Sequence, residues 1–219
     1  MPWNVSEILD AVSAGLARAA AACDTEQAVY GIDCLDELKL HPLIQSSLRQ
    51  AGFGVWPEQR YPSVRGARGI RGRRAKSEGN RCDIVLTPDN RPLCDPDAEA
   101  TLFSDDDAIS LEAAYWLEVK TVSQFTTEGP FARYSAELLS PVSRDIRKLS
   151  QDPLIFHAGL LLVLFTADRM TAEHDLAAWE TRCLEKGYPV APPRTHHIPL
   201  TDRLGNAHLA IAIVPVRRL

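Results

Sequence analysis

Long apolar runs are missing from this sequence. The longest, Ala158 to Phe165, falls far short of the roughly 20 residues that a membrane-spanning helix needs. The opening MPWNVSEILD has no basic stretch ahead of an apolar one, so a cytoplasmic protein is expected. Cysteine is sparse: Cys23, Cys34, Cys82, Cys94 and Cys183 form an odd set without a CxxC pair. Such a set suits a reducing compartment and argues against a disulfide framework or a zinc knuckle. There is no phosphate-binding P-loop, no GxGxxG, and no local Ser/His/Asp or Cys/His signature. Histidine supplies no obvious metal site either. His41, His157, His174 and His208 stand isolated, and His196-His197 falls in a proline-bounded stretch read as a loop, so all are expected to be structural.

What is present is a chain of ordinary domain size. Its 219 residues are 45% hydrophobic and 24% charged, enough to bury a substantial core in a globular protein. The net charge of −5 conceals a marked segregation. From Arg60 to Arg81, the bases Arg60, Arg65, Arg68, Arg71, Arg73, Arg74, Lys76 and Arg81 face the single acid Glu78, with Gly66, Gly69, Gly72 and Gly79 interleaved. From Asp89 to Glu112 the balance inverts, with Asp89, Asp95, Asp97, Glu99, Asp105, Asp106, Asp107 and Glu112 against Arg91 alone. Repeated arginine with glycine suits a segment that wraps phosphates, because arginine offers bidentate contacts and glycine lets the backbone approach. The acidic stretch reads as a surface insertion.

The apolar periodicity divides the chain into elements. Val5, Ile8, Leu9, Val12 and Leu16 mark an amphipathic helix, capped by Asn4 or Ser6, that packs on its own domain or on a second copy in a homodimer. Residues 1–30 are therefore set apart as an accessory helix and 31–219 as the main domain. A second helix is expected from about Asp33 to Gln50, with Pro42 as a point where it kinks or restarts. FGVWPEQRYP reads as an edge strand, RCDIVLTP as a second strand and AAYWLEVKTV as a third. SPVSRDIRKLSQD reads as a helix capped by Ser140 with Pro141 in its first turn. AGLLLVLFTA reads as a strand covered on both faces, a further helix is capped by Thr171, and AHLAIAIVPV is the last strand. The expected fold class is α/β, a mixed central sheet flanked by helices.

The chemistry concentrates in EAAYWLEVKTVSQF. Glu118 and Lys120 are two residues apart on an otherwise apolar strand, so their side chains share a face. Asp83 opens the strand before it. If the two strands pair, Asp83 and Glu118 converge on one divalent cation, since Mg²⁺ takes oxygen ligands from one or two carboxylates, waters and substrate phosphate. Lys120 would lie beside it, where an ammonium orients or helps deprotonate an attacking water and offsets charge on a scissile phosphate.

An aspartate, a variable gap, then Glu-x-Lys on an apolar strand resembles the PD-(D/E)xK superfamily of metal-dependent nucleases, the restriction-endonuclease-like fold. That core is a helix, a three-stranded antiparallel meander, a helix and a further strand, the order read here from about Asp33 to Ala167. The resemblance implies that Asp83 and Glu118 bind Mg²⁺ or Mn²⁺ and that Lys120 is the catalytic lysine. Many members add a glutamate from the first helix, which Glu37 matches, with Glu58 on the first strand as rival or supplement. Two departures stand out: Arg81 and Cys82 precede Asp83 where the motif has proline, and the acidic stretch lengthens the gap to Glu118. The resemblance implies phosphodiester hydrolysis, in DNA by analogy. Arg65, Arg68, Arg71, Arg73, Arg74, Lys76 and Arg81, with Arg144 and Lys148 on one face of a later helix, are the candidate contacts to nucleic acid. The competing expectation is a non-catalytic protein that keeps the fold to bind nucleic acid or a partner in a defence or repair assembly.

Overall fold

The computed structural model describes residues 3–65, 81–94, 107–139 and 142–218. The first helix, α1 (Val5–Thr25), starts where the Asn4 side chain accepts from the Ser6 N–H, and it buries Ile8, Leu9, Val12 and Leu16. A short 3-10 turn, Ile32–Cys34, then precedes α2 (Glu37–Gln50), whose N-terminus is capped by Asp36 accepting from the Lys39 N–H. The second helix thus begins four residues later than the apolar pattern suggested, because the Asp36 carboxylate competes for the first free N–H groups. Pro42 lies inside α2 without dividing it.

The meander follows as β1 (Gly54–Arg60), β2 (Arg81–Thr87) and β3 (Tyr115–Ser123), with a one-turn helix α3 (Pro62–Arg65) after β1. A two-residue hairpin, β4 (Phe125–Thr126) and β5 (Gly129–Pro130), leads to α4 (Tyr134–Leu139) and α5 (Val142–Gln151). The expected Ser140 cap and Pro141 lie outside the described residues, as do Arg68 to Lys76 and the centre of the acidic stretch. The chain ends with β6 (His157–Thr166), α6 (Arg169–Glu185), β7 (Arg194–Pro199) and β8 (His208–Val216). Two expectations fail here. Asp168, not Thr171, caps α6, its carboxylate accepting the Thr171 N–H at 2.7 Å. His196 and His197 sit on a strand rather than in a loop, because β8 offers them a free edge to pair with.

One six-stranded sheet carries the molecule, in the order β1-β2-β3-β6-β8-β7. All neighbours are antiparallel except β3 and β6, which run parallel and are joined by the crossover through α4 and α5. α1 and α2 cover one face, where Leu40 and Ile44 meet Leu117, Leu161 and Phe165. α5 and α6 cover the other, where Ile146 and Trp179 share a cluster with Trp116, Leu160 and Leu162. Leu160 to Phe165 are all fully buried, which accounts for the unbroken apolar run of β6. β1 is an edge strand, as its proline required. None of the described helices is long and apolar enough to cross a membrane.

Candidate active site

Three strands deliver three acids to one end of the sheet. Ile84 pairs with Leu117, so one step further along the register Asp83 on β2 comes beside Glu118 on β3, and the Asp83 Oδ2 accepts the Val119 N–H at 2.8 Å. Glu58 on β1 falls between the pairs Pro57↔Ile84 and Gln59↔Cys82, opposite Asp83. Its backbone takes φ of 53°, the left-handed region that a non-glycine residue rarely adopts. The Arg81 guanidinium donates to the Glu58 carbonyl at 2.7 Å and holds that conformation.

Glu118 is only 4% exposed. The Tyr61 hydroxyl donates to its Oε1, and the Lys148 ammonium lies 3.7 Å from the same oxygen. Burial first, then the charges of Asp83 and Asp145, push the Glu118 carboxyl well above the usual carboxylate range, against the opposing pull of Lys148. Lys148 is 2.9 Å from Asp145. Burial works against its charge, but Glu118, Asp145 and Asp83 outweigh it and hold the ammonium above the ordinary lysine value. Tyr61 is placed by its neighbours: its ring stacks on Trp116 at 5.9 Å, and just beyond it the N–H and hydroxyl of Ser63 both donate to Asp152 Oδ2, at 3.0 and 2.7 Å.

Lys120 and Glu37 make a second pair. The Lys120 ammonium lies 3.4 Å from Glu37 Oε2, which also accepts the Thr121 N–H at 3.0 Å. Glu37 therefore orients Lys120, while Glu58 is the acid that gathers with Asp83. One turn after Glu37 on α2 comes His41, and one of its ring nitrogens lies within 4.8 Å of carboxylate oxygens of both Glu58 and Asp83, which also lie within that distance of each other. His41 is thus not isolated, contrary to expectation. The signal that could have revealed it is its spacing from Glu37, since residues four apart share a helix face. Tyr61 left no comparable signal, because its role depends on the turn that follows β1.

Of the candidate nucleic-acid contacts, Lys148 turns inward to Glu118 and Asp145, whereas Arg144 is exposed. Arg68, Arg71, Arg73, Arg74 and Lys76, together with the side chain of Arg65, lie outside the described residues. No family model, curated protein or solved structure matches the chain, so what can be said of its activity comes from this cluster of side chains.

Proposed function

We propose that the chain is a divalent-metal-dependent nuclease with a restriction-endonuclease-like core, hydrolysing phosphodiester bonds in DNA. The observation that carries this reading is the meeting of Asp83 and Glu118 across β2 and β3, with Lys120 two residues further along and held by Glu37. The order α2, antiparallel meander, α5 and parallel β6 supports the fold assignment.

The donor set suits a hard divalent ion, since Asp83, Glu118 and Glu58 bring carboxylate oxygens to one end of the sheet. These three would hold Mg²⁺ or Mn²⁺, which when bound supplies positive charge to the phosphate and acidity to a water. Lys120 projects an ammonium from the strand that carries Glu118, where it offsets negative charge developing on the phosphate and orients the attacking water. Glu37 fixes the position of that ammonium and is itself tied to the β3 backbone. Tyr61 keeps Glu118 in one rotamer, and the Lys148–Asp145 pair balances charge behind it.

The test is cleavage of a supercoiled plasmid and of a labelled single strand with Mg²⁺ or Mn²⁺. Wild type should cut, and Asp83→Ala and Lys120→Ala should each lose about 10²–10⁴-fold in rate. Intact DNA binding with no cleavage by wild type under either ion would favour the non-catalytic alternative.

A further inference from the structure

We infer that His41 is a metal ligand and that its nitrogen biases the site towards a divalent transition ion over Mg²⁺. The inference rests on the assignment of Asp83 as a metal ligand but is independent of what the site hydrolyses.

His41 is 6% exposed, and its Nε2 is buried without a hydrogen-bond partner among the described residues. A buried imidazole of purely structural use normally spends its ring nitrogens on a carbonyl or a carboxylate, because leaving one unpaired costs stability. This ring stands instead close to two acids, with a nitrogen within 4.8 Å of oxygens of Glu58 and Asp83. Glu58 reaches that position only through a left-handed backbone conformation, stabilised by the Arg81 contact to its carbonyl. Two independent features, a buried ring with an unpaired nitrogen and a strained acid, therefore belong to one cluster.

The spacing fits one ion. Metal–ligand bonds of about 2.0–2.2 Å set ligand atoms no more than about 4.4 Å apart, so the three donors need only close by a few tenths of an ångström. The donor chemistry sets the preference. Magnesium favours oxygen ligands and keeps its waters, whereas a neutral imidazole suits first-row transition ions. An Asp, a Glu and a His on one ion thus form a mixed site.

The experiment uses the full chain stripped of metal and titrated calorimetrically with Mn²⁺ and, separately, with Mg²⁺. Pulsed electron paramagnetic resonance of the Mn²⁺-loaded protein then reports directly on bound nitrogen through its ¹⁴N modulation. Wild type should bind Mn²⁺ more tightly than Mg²⁺ and show the modulation. His41→Gln should abolish the modulation and weaken Mn²⁺ by about tenfold or more, with a smaller effect on Mg²⁺. Should that variant not fold, the wild-type spectrum still decides, because all six histidines are described and, among the described residues, His41 alone belongs to such a cluster. Mn²⁺ that binds in wild type, is lost in Asp83→Asn and shows no ¹⁴N modulation would overturn the role of His41 while leaving Asp83 as a ligand. Failure of both ions to bind would overturn both assignments. Nitrogen-coupled Mn²⁺ in a protein that cuts no DNA would sustain the inference and sink the nuclease assignment.

Discussion

A carboxyl group buried beside Tyr61 and Cys82 ionises only against resistance, and Glu118 has the further disadvantage of Asp83 alongside. Its raised pKa is a statement about stability. The folded chain keeps this proton to a higher pH than the unfolded chain, so the contribution is complete below about pH 4.3, the unfolded value, and is lost as pH rises towards the folded one. Glutamine has nearly the same shape and its amide oxygen can still accept from Tyr61, but it has no proton to lose. Metal-free Glu118→Gln should therefore melt above wild type at pH 8, with the gap shrinking towards pH 5, while nuclease activity falls about 10²-fold or more. Thermal melts across that range are the check, and a gap independent of pH would show that Glu118 is not strained by ionisation. The cost in stability of keeping an acid here is what a functional site, rather than a core, would carry.

At the scale of elements, the position of α2 matters because it carries Glu37 and His41. Its distance from α1 is set at Gly15, where an added Cβ would come within 2.3 Å of the Ser47 Cβ and Oγ. Glycine inside a helix is unfavourable by up to about 1 kcal/mol relative to alanine, so propensity alone predicts that Gly15→Ala stabilises the protein. The contact predicts the reverse, since overpacking a tight interface costs about 1–3 kcal/mol. The larger effect should prevail: Gly15→Ala lowers the denaturation midpoint, and adding Ser47→Gly restores part of it. Ser47 also donates back to the Leu43 and Ile44 carbonyls, so Ser47→Gly alone supplies the necessary reference. Additive effects of the two substitutions would mean that the helices do not meet at this point.

For the whole molecule, legibility followed the range of the interaction that fixes each feature. The meander, the doubly covered β6 and the pairing of Asp83 with Glu118 were readable, because strand alternation and apolar runs are local patterns that the sheet only has to honour. β7 was not, since Arg194–Pro199 lacks alternation and becomes a strand by borrowing the edge of β8. The short α4 was missed for a similar reason: its buried Tyr134 and Leu138 are fixed by packing. The spacing of His41 from Glu37 shows only that the two share a helix face; its meeting with Asp83 and Glu58 also required the fold to bring α2 to them and Glu58 to take a left-handed conformation, which that spacing does not encode. Charge segregation is the one whole-molecule property legible only in the sequence, and it supports a prediction of its own. A chain of net charge −5 gains no attraction for DNA from its average field, so the proposed binding would depend on the bases between Arg60 and Arg81. Replacing Arg68, Arg71, Arg73, Arg74 and Lys76 together by glutamine should weaken binding on every duplex sequence alike. It should also flatten the dependence of log affinity on log salt by about 0.9 for each side chain that neutralises a phosphate. Anisotropy titrations of a labelled duplex at several salt concentrations, without divalent metal, measure that slope. A slope identical to wild type would show that these side chains do not touch the backbone, and would shift the search for the nucleic-acid surface to exposed bases such as Arg144.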